Sequence, residues 1–148
     1  MALLDLMDAA RRVSVPIVVI RTADQAMTVA ETAKRMVGPL AGPLITWDAA
    51  VGMRPVDGNK LAQKALADAK ITPDGTQGFV EAMIAAQRLP QGSVVYAFNA
   101  HRQLQSTEPI GVAAAVQAVA NLRDTFKRNF RILVLLGGDA GLRLGEAA

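Results

Sequence analysis

Four short runs of apolar, mostly branched residues constrain this chain more than any other feature of its sequence. The runs are PIVVI, LITW, SVVYAF and RILVLL, at residues 16–20, 44–47, 93–98 and 131–136. Apolar runs of this length, rich in Val and Ile, are typical of strands that are buried on both faces. Since segments with helical periodicity separate the runs, the pattern predicts βαβ crossovers and a parallel sheet. We therefore predict a three-layer α/β fold, a mostly parallel sheet of about four to five strands with helices on both faces.

The segments between the strands have apolar residues at helical spacing. The predicted helices span residues 21–37, 60–70, 79–89 and 110–129. In the longest of them, the residues expected to form the buried stripe are Val112, Val116, Val119, Leu122 and Phe126. The segment 51–59, VGMRPVDGN, contains a proline and an Asp-Gly turn signal, so it is predicted to be a loop.

The length of 148 residues fits one domain. We predict an N-terminal helix over residues 1–13 and a single α/β domain over residues 14–138. The final residues 139–148, DAGLRLGEAA, are predicted to be a tail or the start of a linker.

Composition and charge argue against several classes of function. The chain has no cysteine, which excludes disulfides, thiolate metal sites and thiol nucleophiles. Asp5 and Asp8 interrupt what would be the apolar core of a secretory signal, and no apolar run approaches the roughly 20 residues that cross a bilayer. The net charge of +3 is a mild excess, whereas nucleic-acid-binding domains usually carry clustered basic residues. We expect a cytoplasmic protein that binds neither membrane nor nucleic acid.

The turn after the first strand lacks the residues of a nucleotide site. A P-loop or a dinucleotide-binding turn needs glycines at this point, and the segment RTADQAMT has none. Asp24 also places negative charge where the next helix would attract an anion. We therefore expect no cofactor in this chain itself.

Polar residues follow the second and third apolar runs. They are Asp48, Asn99 and the only histidine, His101. Because the carboxyl ends of parallel strands share one edge, these side chains could converge on a ligand, with Asp48 and His101 as an acid/base pair. The alternative is that they cap turns and helices, which is the commoner role of Asp and Asn. We favour that alternative and predict that Asp48 closes its strand and positions the next loop. A lone histidine predicts no metal site.

Trp47 and a basic cluster each have two interpretations. Trp47 is either core packing at the end of a buried strand or an anchor at an interface. The basic cluster surrounds the end of the long helix and consists of Arg123, Lys127, Arg128 and Arg131. It either complements the negative end of the helix dipole or contacts phosphates. Because no aromatic residues are interleaved with the cluster, we favour the first role.

Several of these pieces together resemble a known family. The run PIVVIRTADQAMTVAETAKRM, followed by GPLITWDAAVGM, is similar to the N-terminal, P-loop-lacking α/β domain of AAA-type ATPases known from cyanobacterial and plastid genomes. The family's pieces are a strand ending in Trp-Asp and followed by a glycine, a short acidic helix, and a strand ending in Asp-x-His. Here they correspond to Trp47, Asp48 and Gly52, to the helix with Glu81 and Ala82, and to Asn99–His101. The resemblance covers roughly residues 14–137 and implies a degenerate RecA-like or P-loop-like fold.

One position departs from the family pattern. Asn99 stands where the family usually has an acidic residue, in the place of a Walker B carboxylate. A neutral amide neither binds magnesium as a carboxylate does nor activates a water. The resemblance therefore implies a non-hydrolysing domain, with ATP and magnesium used only by a separate AAA module.

Two hypotheses about function follow. The first is a non-catalytic N-terminal domain that mediates assembly or the engagement of a substrate or partner for an AAA-type ATPase. Its partner would be another protein, its own ATPase module or a second copy of the chain. Its working surface would comprise Trp47, Asp48, Met53 and Arg54, with Asn99 and the loop after His101 beside it. The second hypothesis is a small stand-alone enzyme or ligand-binding protein, with its site at the carboxyl edge of the sheet.

Overall fold

The structure is a computed structural model that describes residues 7, 9–10, 12–13, 15–36, 38, 41–105, 109–128 and 130–138. Of the helix predicted over residues 1–13, the described residues Met7, Ala9, Ala10, Arg12 and Val13 are helical. The tail predicted over residues 139–148 lies outside the described residues. Within the described part of the chain, none of the helices combines the length and the apolar character needed to cross a bilayer.

After the helical N-terminal residues, five strands and five helices with described bounds follow one another. The strands are β1 (Ile17–Arg21), β2 (Leu44–Asp48), β3 (Gly52–Pro55), β4 (Val94–Ala97) and β5 (Ile132–Gly137). The helices are α1 (Gln25–Ala33), α2 (Lys60–Asp68), α3 (Phe79–Ala86), α4 (Ala100–Leu104) and α5 (Pro109–Lys127), with a 3-10 turn at Asp74–Thr76.

The strands form one sheet in the order β1-β5-β4-β2-β3. Among the described strands, the pairs β1–β5, β5–β4 and β4–β2 are parallel, and only β2 and β3 form an antiparallel hairpin. The predicted α/β class and mostly parallel sheet are therefore confirmed. The predicted loop over residues 51–59 is wrong in part, because β3 lies within it. Pro55 had argued against a strand, but β3 is an edge strand, where proline is tolerated.

The sheet separates two apolar clusters. On one face, α2, α3 and α5 pack over inward side chains such as Trp47, Val95 and Leu133. On the other face, α1 and the N-terminal residues Met7 and Ala10 cover Val18, Tyr96 and neighbouring positions. A buried hydrogen bond of 2.9 Å between Thr32 Oγ1 and the Tyr96 hydroxyl joins α1 to the sheet.

The residues that helix α5 buries differ from the predicted stripe, which contained three valines. Ala115, Ala118, Leu122 and Phe126 are buried, whereas Val116 is half exposed. The alanines lie in the same cluster as residues of α3, the helix that α5 contacts most. Small side chains allow two helices to approach closely, so the alanines rather than the valines lie at this contact.

The connections leave the sheet on opposite faces. The chain passes from β1 into α1 on one face, and from β4 into α4 and α5 on the other. In an open α/β sheet, such a change of direction creates a crevice at the carboxyl ends of the strands. Here that crevice lies at the ends of β1, β5 and β4.

Candidate functional site

Asn99 lies at the crevice but is engaged by another side chain of the same chain. Gln25 Nε2 donates to Asn99 Oδ1 at 2.9 Å, and the Asn99 backbone N–H donates to Gln25 Oε1 at 2.9 Å. Asn99 has φ 52°, in the left-handed region that asparagine adopts more readily than most residues. The pair joins the start of α1 to the end of β4, so Asn99 acts here as a structural link.

Asp48 closes the β2–β3 hairpin. Its Oδ1 accepts from the backbone N–H groups of Ala50 at 2.9 Å and Val51 at 2.8 Å. The guanidinium of Arg54 lies 3.9 Å from its other carboxylate oxygen. The prediction that Asp48 ends its strand and positions the following loop is confirmed, because an aspartate in this position organises the turn by accepting backbone N–H groups.

Trp47 and Met53 belong to the core. Both are 0% exposed, so the expectation that they form an exposed working surface is wrong. Trp47 packs edge-on to Phe79 with ring centroids 5.3 Å apart, and its Nε1 donates to the carbonyl of Thr76 at 2.6 Å. The Met53 backbone N–H donates to Thr76 Oγ1 at 2.8 Å. Of the predicted working surface, Arg54 is exposed and Asp48 is half-buried.

His101 lies in helix α4. Its ring lies against Gly137 of β5, where an added Cβ would be 3.2 Å from Nδ1. Both ring nitrogens are buried and have no hydrogen-bond partner among the described residues. Burial lowers the pKa of His101, and the charge of Arg102 lowers it further. The imidazole is therefore neutral at physiological pH.

A pocket of about 180 Å³ lies beside His101, at the ends of β1 and β5. Its apolar walls include Val19, Leu104 and Leu135, and Arg21 also lines it. Asp48 does not line this pocket, since β4 and β5 separate β2 from β1. Asp48 and His101 therefore do not meet at this pocket. The described residues also contain no group of three or more His, Asp or Glu side chains that could hold a metal ion.

A larger groove, of about 600 Å³, lies on the face of the sheet that α1 partly covers. One wall consists of Ala26, Val29, Ala30 and Ala33 of α1, and the floor includes residues of β2 and β3. Arg54 of the predicted working surface lines this groove. Sequence reasoning missed the groove, because the helical pattern over residues 21–37 does not show which part of the helix the rest of the chain leaves uncovered. Ala26 and Ala30 are exposed.

The basic cluster at the end of α5 does not form one surface. Arg131 is buried, and its guanidinium donates to the carbonyls of Gln87 at 2.9 Å, Leu89 at 2.8 Å and Thr125 at 3.0 Å. It also lies 4.8 Å from the centre of the Phe126 ring, within range of a cation–π interaction. Arg131 is thus a structural residue, contrary to both roles predicted for it.

Comparison with protein-family models, with characterised proteins and with solved structures gives no match to this chain.

Proposed function

We propose that this chain is a non-catalytic domain that engages a protein partner. The N-terminal domain of an AAA-type ATPase, which the sequence resembles, is the form that we favour. In this proposal ATP and magnesium act in a separate module, and the domain works in the cytoplasm, which the lack of cysteine fits.

The observation that carries the proposal is the groove between α1 and the β2–β3 hairpin. Among the described helices, only α1 borders the sheet here, and it leaves a trough of about 600 Å³. Small alanines wall the trough, and Lys34, Arg54 and Asp57 are charged residues along it. A trough that combines small apolar side chains with charged and polar ones suits a ridge of side chains from another protein.

The polar groups that the fold itself engages, in the groove and at the carboxyl edge, argue against catalysis. Asn59 Oδ1 accepts from the backbone N–H groups of Leu44 and Ala62, which fixes the start of α2. At the carboxyl edge, Asp48 and Asn99 are likewise engaged within the chain. A catalytic site needs an acid or base within reach of a shared ligand position. The side chains of Asp48, Asn59 and Asn99 instead form hydrogen bonds that stabilise the fold.

The test is to fill the groove. Ala30→Trp places a large ring on the groove wall, whereas Ala67→Trp adds the same ring to an exposed position of α2 that does not line the groove. Proteins captured from the source organism by the wild-type chain are identified, purified and titrated against all three forms of the chain. We expect an AAA-type ATPase that binds the wild type and Ala67→Trp equally, and Ala30→Trp at least tenfold more weakly.

Circular dichroism and thermal unfolding of both variants establish that each is folded. Equal binding of the partner to Ala30→Trp and to the wild type would exclude the groove as the binding surface. A purified partner that is not an ATPase would retain the binding function and contradict the ATPase assignment.

A further inference from the structure

The pocket beside His101 occupies the position in the fold where α/β proteins hold ligands. It lies at the carboxyl ends of β1 and β5, next to the change of direction between the β1 and β4 connections. The position is a general consequence of the topology, and it does not depend on the groove or on the proposed function.

His101, which lines the pocket, has no hydrogen-bond partner within the described part of the chain. Buried polar atoms in folded proteins almost always have hydrogen bonds, and each exception needs an explanation. His101 has two such atoms, and neither finds a partner among the described residues. Gly137 leaves room for the ring, since any side chain there would come into contact with it. A bound molecule that accepts a hydrogen bond would supply the missing partner.

The charges around the pocket favour an anion. Arg21 lines it, and Arg102 is close enough to His101 to act on it electrostatically. Among the described residues that line the pocket, none is acidic. The remaining walls are mostly apolar, with Val19, Leu104 and Leu135 among them. The pocket therefore combines an apolar interior with a cationic side chain.

We propose that this pocket binds a carboxylate carried on a short aliphatic group. Arg21 pairs with the carboxylate, Val19 and Leu104 enclose the aliphatic part, and His101 turns about its side-chain bonds to donate its ring N–H to a carboxylate oxygen. The volume of about 180 Å³ equals that of about six water molecules in the liquid, which suits a short branched acid and not a nucleotide.

The single histidine makes the test specific. The probe is sodium 4-methylpentanoate, titrated into the 15N-labelled chain while NMR follows the His101 ring nitrogens and the backbone amides of Leu104 and Gly137. We expect saturable shifts at these three residues. The neutral isostere 4-methylpentanamide should give none at the same concentrations, because it has no charge for Arg21 to pair with.

Two matched variants separate the pocket from non-specific attraction of anions. Arg21→Met removes the cation that lines the pocket, and we expect binding about tenfold weaker or worse. Arg128→Met removes another exposed cation that does not line the pocket, and binding should be unchanged. In His101→Phe, the backbone amides still report binding, which should weaken while the fold is retained.

Two further ligands identify the source of the carboxylate. A tripeptide that ends in leucine with a free carboxylate is compared with the same peptide amidated. Tighter binding of the free peptide than of the small acid would identify the ligand as a chain terminus. Binding of the small acid alone would identify it as a metabolite. Both results support the site. The absence of shifts with acid and peptide alike, or equal binding to Arg21→Met, would overturn the proposal.

Discussion

At the scale of single residues, both the backbone conformation and the available space favour glycine at position 52. Its φ of 92° lies in the region that side chains rarely adopt. An added Cβ would collide with the backbone carbonyl of Pro73 and approach Thr76 Oγ1 at 2.9 Å. Because the 3-10 turn packs directly on the hairpin at this point, only glycine permits the contact. The sequence had marked Gly52 through its resemblance alone, and the structure supplies the physical reason.

Gly52→Ala is expected to lower the free energy of unfolding by about 3 kcal/mol, since backbone strain and a steric clash add together. Gly58→Ala is the matched control, because its φ is also positive, at 75°, but nothing lies within 4 Å of the added Cβ. That variant should lose only about 1 kcal/mol. Urea unfolding of the three proteins measures the difference, and equal losses would show that the Pro73 contact is unimportant.

His101 gives stability a dependence on pH whose sign follows from its burial. Its pKa in the folded state lies below the ordinary value of 6.5, mainly because burial disfavours the charged ring. In the unfolded chain the ring binds a proton as the pH falls below about 6.5, while the folded ring stays neutral. The contribution of His101 to stability is therefore complete above that pH and is lost as the pH falls through the folded-state pKa.

We expect the NMR titration of the single histidine to give a pKa below 6.5. Between pH 7.5 and the folded-state pKa, the free energy of unfolding should decrease more in the wild type than in His101→Gln, which carries no titratable ring. Urea unfolding at several pH values provides the comparison. A measured pKa at or above the ordinary value, or identical pH profiles, would contradict the buried, neutral ring.

At the scale of elements, Arg131 holds the ends of two helices together. Its guanidinium reaches carbonyls that follow α3 and one within the last turn of α5, and it does so from the residue just before β5. Burial lowers its pKa, but an arginine remains charged at neutral pH. A buried charge with several hydrogen bonds is costly to disrupt, because the groups left behind lose their donor away from water.

Arg131→Met is expected to reduce the free energy of unfolding by roughly 3 kcal/mol, since the carbonyls lose a charged donor while the apolar volume is largely kept. Arg128→Met, at an exposed position three residues earlier, should stay within about 0.5 kcal/mol of the wild type. Thermal and urea unfolding measure both variants. A small loss at Arg131 would mean that water or other donors satisfy these carbonyls.

The observed strands and helices also show which elements a local sequence pattern predicts correctly. The four apolar runs correspond to β1, β2, β4 and β5, with small shifts at their ends. A strand that is buried on both faces can be identified from its continuous apolar sequence alone. Helix α4 has only five residues, too few for a periodic pattern to show. Strand β3 exists because it pairs with β2, a partner that no local pattern in GMRP could specify.

At the scale of the whole molecule, the β1–α1 turn lacks the features of a P-loop. The start of α1 is capped by Asp24, whose Oδ1 accepts from the Met27 N–H at 3.0 Å. A carboxylate at this helix end competes with a phosphate for the same N–H groups. The turn also contains no glycine to bring the backbone close to a phosphate chain.

We therefore expect no change in melting temperature when millimolar ATP or ADP is added with magnesium. Asp24→Asn, which retains the cap and removes the charge, is a useful companion and should respond in the same way. The measurement is a thermal-shift titration with light-scattering mass recorded in parallel. A shift that requires both nucleotide and magnesium would reveal a binding site built on residues other than a P-loop, and would favour the enzyme hypothesis.

The sequence by itself determined the α/β class, the positions of four strands and the role of Asp48 as the residue that ends β2. These properties are local, since they depend on the apolar pattern and on the hydrogen-bonding capacity of one side chain toward its neighbours. The tertiary structure alone decided the strand order, the Gln25–Asn99 pair 74 residues apart, the burial of Arg131 and the burial of the His101 ring nitrogens, which have no hydrogen-bond partner among the described residues. Each of these features depends on which distant segments lie side by side in the fold. That arrangement depends on packing over the whole molecule and not on any short stretch of residues.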